Sequence, residues 1–191
     1  MKQFSLLLPI LLVILSILSA CSTDSSLELL SAEADIVNDK SKTGSTILQE
    51  GDKAGKEVVP TSLYYTFSIK NIGNNKVGDR SKGEGLRARI EPSEKLITVS
   101  KEVMGFNIFE PDDYNESGLG YGNSFVGILE ENQTGEFIYY FDLGAEEETE
   151  EVKLVPSKEQ LEQLHNNALK ATLIVSLDKE EIARFDLSKK D

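Results

Sequence analysis

Between Thr61 and Gly73 the chain reads TSLYYTFSIKNIG, and its apolar side chains fall at every second position. Leu63, Tyr65, Phe67 and Ile69 share one face; Tyr64, Thr66, Ser68 and Lys70 share the other. A period of two, carried by aromatic and β-branched residues, specifies a strand with one buried face. Asn71-Ile72-Gly73-Asn74-Asn75 closes it with turn residues. The same alternation returns near the C-terminus. Leu169, Ala171, Leu173, Val175 and Leu177 alternate strictly, Asp178-Lys179-Glu180 turns the chain, and Ala183, Phe185 and Leu187 bring it back.

Further strands are expected between these two regions. Leu86, Ala88 and Ile90 alternate with Arg87 and Arg89 up to Pro92, and Leu96 to Ser100 reads as another strand. Ser124–Leu129 and Glu136–Leu143 flank EENQTG as a hairpin, with Phe137, Tyr139 and Phe141 facing inward. Val152 to Val155 reads as one more short strand. One helix is expected, because Ser157-Lys158-Glu159-Gln160 is a capping box after Pro156, followed by Leu161, Leu164 and Ala168 at helical spacing. Many short strands with turn signals and one short connecting helix make an all-β fold, a β-sandwich.

The N-terminus has a different character. Met1-Lys2-Gln3 is a short basic start, Phe4 to Ile17 is almost wholly apolar, and the first acidic residue is Asp24. That is the layout of a secretory signal. It is a poor permanent span, since the apolar run is shorter than the ~20 residues a helix needs to cross hydrocarbon, and Pro9 interrupts it. The run ends in Leu18-Ser19-Ala20-Cys21, which resembles the lipobox of bacterial lipoproteins. The resemblance implies cleavage before Cys21, a diacylglyceryl group on its thiol, and a mature chain held at the extracytoplasmic face of the cell membrane. Two acyl chains anchor stably where one holds marginally. Cys21 is the only cysteine, so a disulfide has no part in the expected fold.

Residues 1–20 are thus expected as a signal peptide. Residues 21–61 are expected as a lipidated N-terminus and flexible tether. Ser25 to Ile36 fits a short helix or an edge strand equally, and NDKSKTGSTILQEGDKAGKE, residues 38–57, carries only Ile47 and Leu48 as large apolar residues. Residues 62–191 are expected to fold as the sandwich. Without Lys2 and the rest of the signal, 19 basic residues face 33 acidic ones, a net charge of −14. Such a surface repels nucleic acid and anionic headgroups.

Catalytic constellations are not evident. His165 is the only histidine and falls toward the polar side of the expected helix. Zinc and copper sites need clustered imidazole or thiolate, which this composition lacks. The run AEEETEE, residues 145–151, reads as a solvated loop. Gly118, Gly120, Gly122 and Gly127 lack the Lys-Ser/Thr ending of a phosphate loop. The stretch Asp113-Tyr114-Asn115-Glu116-Ser117-Gly118 carries more. It fits the first half of a calcium loop, with oxygen donors on Asp113, Asn115 and Ser117 and glycine at the turn. Position 12 holds Ser124 in place of a bidentate Glu, so any calcium would bind weakly.

The stretch YYTFSIKNIG also resembles the opening strands of immunoglobulin-like modules on bacterial surface proteins. The resemblance covers about ten residues and implies a fold, not an activity. No cofactor is expected beyond that calcium. The expectation is a non-enzymatic lipoprotein that binds a protein or another component of the envelope. The alternative is a small-ligand- or Ca2+-binding lipoprotein serving an envelope transporter.

Overall fold

The computed structural model describes residues 26–189 apart from 80, 82, 83, 116, 118 and 150. Cys21 lies outside the described residues. Strand makes up 44% and helix 18% of the structure, and the fold is mostly β.

Two antiparallel sheets carry it. The larger contains β1 (Leu27–Val37), β4 (Thr61–Asn71), β7 (Thr134–Gly144) and β6 (Tyr121–Phe125), in the order β1-β4-β7-β6. The smaller contains β5 (Leu86–Pro92), β8 (Ala171–Leu177) and β9 (Glu180–Asp186), in that order. A two-stranded ribbon, β2 (Thr46–Ile47) with β3 (Glu57–Val58), stands apart from both.

The period-two pattern positions these strands as expected. Leu63, Tyr65, Phe67 and Ile69 are all fully buried. Opposite them on β7 stand Phe141, Tyr139 and Phe137, paired with Leu63, Tyr65 and Phe67. Directly opposed residues share a face, so the register merges two apolar stripes into one wall. Leu86, Leu173, Val175 and Ala183 of the smaller sheet belong to the same core. Aromatic edges lock it: Tyr65 meets Phe141 edge-on at 6.2 Å, and its hydroxyl donates to the Ala168 carbonyl at 3.0 Å. Burial pushes the Tyr65 hydroxyl well above the ordinary phenol range.

Among the described residues four helical segments occur where one was expected: α1 (Lys40–Thr43), α2 (Glu94–Met104), α3 (Pro111–Asn115) and α4 (Lys158–His165). Helix α4 carries the expected capping box, with Ser157 and Gln160 bonding each other's backbone. Helix α2 corrects the expected strand at Leu96–Ser100. The Ser93 hydroxyl accepts from the Leu96 amide at 3.3 Å, and Gly105 ends the helix with φ +84°. Its buried residues, Leu96, Val99 and Ser100, recur at three and four. Three adjacent β-branched residues, Ile97, Thr98 and Val99, hid a spacing that shows only over eleven. Two smaller corrections follow. Val152–Val155 contributes a single bridge, Leu154 to Ala145, and Leu129 lies beyond β6, bridged to Val77.

The expected tether over residues 21–61 is corrected more deeply. Strand β1 pairs along β4 from Leu27↔Asn71 to Val37↔Ser62, so the sheet begins 35 residues before Ser62. Residues 38–60 then fold back as α1 and the ribbon. Leu48 drops into a small second core with Ala145 and Val152 and is 1% exposed. Of the two alternatives read for Ser25–Ile36, the described residues Leu27–Val37 form the edge strand.

Edge strand β1 is itself covered. His165 Nε2 lies 2.9 Å from the Ala34 carbonyl, with Asp35 at 4.0 Å. The one histidine thus occupies an outward-facing carbonyl of an edge that would otherwise invite a foreign strand.

Candidate functional site

Three connections meet at the end of the larger sheet where β1 finishes: residues 38–60, the approach to β6, and the segment after β7. Between them lies a cleft of about 380 Å3 lined by Thr43, Ser45, Thr46, Val58, Pro60, Leu119, Gly120, Asp142, Glu151 and Val152.

Asp142 comes from β7, on the face opposite Phe141 and Leu143. Ser62, its partner on β4, donates from its hydroxyl to Asp142 Oδ1 at 2.6 Å. Oδ2 lies so close to Gly120 that a Cβ there would come within 2.7 Å. The Gly120 backbone also bonds the carboxyl. Glycine at 120 is therefore what lets the chain pass over this side chain. From below, the buried Tyr114 hydroxyl donates to the Asp142 carbonyl. Burial pushes the Asp142 carboxyl up to about 6, against the opposing effect of Ser62 and Gly120.

Glu151 faces the same cleft. Its Oε1 accepts from the Gln49 and Glu50 amides at 2.6 and 2.8 Å. Nearby, Lys53 and Lys56 both reach Glu147, at 2.9 and 2.8 Å, and hold its carboxyl down to about 2. The acidic run after β7 is therefore not simply solvated. It staples the ribbon to the sheet.

Neither Asp113 nor Ser117 of the expected calcium half-loop lines this cleft. Asp113 and Asn115 both fall within the short helix α3. Ser117 Oγ donates to the Tyr114 carbonyl at 2.5 Å and accepts from the Leu119 amide at 3.1 Å. Tyr114, within the same stretch, is buried, with its ring edge-on to Tyr121 at 5.4 Å and to Phe141 at 6.2 Å. Among the described residues, no three His, Cys, Asp or Glu side chains come together as a metal cage.

Sequence reasoning missed Asp142. Its signal was present: one carboxylate inside the apolar stretch FIYYFDLG, at a position whose alternation points away from the core.

The raised carboxyl makes a prediction. Because the folded state favours the protonated form, this group's contribution to stability is fully present below about pH 4. It is lost as pH rises through about 6. A shift near two units, discounted for partial solvation, corresponds to about 1–2 kcal/mol. Asp142→Asn keeps an acceptor for Ser62 and removes the buried charge. It is expected to raise the melting temperature by roughly 2–6 °C at pH 8 and to give no gain at pH 4. Melts at the two pH values check this; an equal change at both would assign the effect to packing.

No family model, no curated protein and no solved structure matches this chain.

Proposed function

We propose that the chain is a bacterial lipoprotein, cut before Cys21 and held at the extracytoplasmic face of the cell membrane by the acylated thiol. Its sandwich serves as a non-enzymatic binding module. The observation that carries this reading is Leu18-Ser19-Ala20-Cys21 directly after an apolar run with a basic start. The fold adds a constraint. Only five residues separate Cys21 from Leu27, the first residue of β1, so the anchor holds the sheet within about 20 Å. Strand β1 then runs its eleven residues, roughly 36 Å, to the opposite end. The cleft around Asp142 lies at that far end. An anchored domain would thus present it away from the lipid.

The sandwich reads best as immunoglobulin-like. Set the two-residue ribbon aside and name the remaining strands A to G in chain order. The sheets become A-B-E-D and C-F-G, the order of the constant-type immunoglobulin domain. Helix α4 then lies in the E–F connection. The fold has no cysteine pair and no tryptophan at its centre, so strand order and alternation alone support the kinship.

Of the two binding readings, a protein partner or a small ligand, the cleft favours the small ligand. Its volume falls in the range of small-molecule sites, and an apolar side formed by Val58, Pro60, Leu119 and Val152 faces a polar side of hydroxyls and carboxylates.

Cys21→Ala tests the anchor. The variant is expected to leave the membrane fraction or to remain uncleaved, and to lose incorporation of labelled palmitate. A variant that is processed and sediments with membranes as before would show that Cys21 is not the attachment site.

A further inference from the structure

We infer that the cleft around Asp142 binds an alkylammonium group. The inference rests on reading the domain as a binding module and adds the chemistry of the guest.

The argument turns on which lining groups can still donate. Thr43 Oγ1 gives its proton to the Asp39 carbonyl at 3.2 Å. Ser45 Oγ gives its proton to Glu57 at 2.6 Å. Ser62 spends its proton on Asp142 itself. Among the described lining hydroxyls, only Thr46 keeps an uncommitted proton. The carboxylates of Asp142 and Glu151 only accept when ionised. The polar side of the cleft is thus almost wholly an acceptor surface, and its guest must bring the donors.

Charge points the same way. Among the described residues neither Asp142 nor Glu151 has an ion-pair partner. The nearby lysines are engaged elsewhere: Lys53 and Lys56 on Glu147, Lys40 on Glu57 at 2.5 Å. A half-buried carboxylate left without a cation in a walled cleft is a place for a cation from outside. An ammonium group supplies three donors and one positive charge.

The remaining walls select what the ammonium is attached to. Val58, Pro60, Leu119 and Val152 give the cleft an apolar side. An alkyl stem lies along such a surface while its charged head meets the carboxylate, as a lysine side chain does. A bare divalent cation would leave these walls unused and would find no gathered ligands. The guest can be a free amine or the lysyl side chain of a partner, since both present the same head and stem.

Titration calorimetry on the full chain in non-ionic detergent, at pH 8, distinguishes these. The probes are n-butylamine, a blocked Gly-Lys-Gly peptide, and n-butanol as a neutral stem of matching length. Saturable binding of either amine, weakened at least tenfold by Asp142→Asn and absent for n-butanol, supports the inference. Butylamine binding as tightly as the peptide points to a free amine. Binding of the peptide alone points to a lysyl side chain. Absence of binding by both amines, equal binding of n-butanol, or an Asp142→Asn variant that binds as the parent does would overturn it. Membrane fractionation of Cys21→Ala reads the anchor independently, so failure of the amine site and failure of the lipoprotein reading are distinguishable.

Discussion

Asn71→Ala is expected to cost about 3–4 kcal/mol. Asn71 ends β4 and is fully buried. Its Nδ2 shares two protons among the carbonyls of Asn75 at 2.8 Å, Leu129 at 3.1 Å and Glu130 at 3.1 Å. Its Oδ1 accepts from the Gly73 amide at 3.0 Å. One amide therefore ties the loop after β4 to the loop before β7. Alanine takes this partner from the Gly73 amide and the Asn75 carbonyl, while the Leu129 and Glu130 carbonyls keep their bonds from the Val77 and Gln133 amides; each buried unsatisfied group costs about 1–3 kcal/mol. For a domain of this size the melting temperature should fall by roughly 8–12 °C. Urea unfolding would show a lower midpoint with an unchanged slope. Asn71→Asp should do no better, because it restores the acceptor for Gly73 but aims a carboxylate at three carbonyls. A loss under 1 kcal/mol in Asn71→Ala would mean that water replaces the amide and that the loops hold each other without it.

How much of this was legible in the sequence depended on range. Strand β4 was plain because every determinant of its exposure lies within it: four apolar residues at period two and a turn cluster after Lys70. The pair β8–β9 was plain for the same reason. The helix at Lys158–His165 announced itself through its cap. Helix α2 was missed because Leu96-Ile97-Thr98-Val99-Ser100 carries strand-forming residues, while its true period needs Val103 in the same window. Propensity is a weak prior that tertiary packing overrides.

Residues 38–60 failed differently. Their sparse apolar content does describe a segment unable to order itself alone. What orders it comes from a hundred residues away: Ala145 and Val152 receive Leu48, and Glu151 accepts the Gln49 and Glu50 amides. No local window contains that information. The cleft suffered the same blindness, since its walls come from three connections and its carboxylate from a fourth element. The calcium pattern was local in its spacing, and it held no sign that Tyr114 within it is buried in the core or that Pro111–Asn115 forms a helical turn.

Gly144→Ala should damage the fold and the cleft together. Gly144 closes β7 with φ +133°, a backbone conformation that side-chain-bearing residues rarely adopt. A Cβ there would stand 2.8 Å from the Leu154 carbonyl carbon, the Lys153 oxygen and the Val155 nitrogen. All three are main-chain atoms, so no rotamer change relieves the contact. The neighbouring residue depends on the same segment. The Ala145 amide donates to the Lys153 carbonyl at 2.9 Å, and the Val155 amide donates to the Ala145 carbonyl at 2.8 Å. Alanine at 144 must push residues 153–155 outward and break both bonds. Adding backbone strain of about 1–3 kcal/mol to two lost buried hydrogen bonds gives an expected loss of about 3–5 kcal/mol. The displacement would also pull Val152 from Leu48 and loosen the wall of the cleft. Hydrogen exchange should therefore accelerate first at Ala145 and Val155, and amine binding should weaken even where the protein is still folded. Melting within 2 °C of the parent, with those amides still protected, would mean that residues 153–155 yield freely and hold neither the strand end nor the cleft.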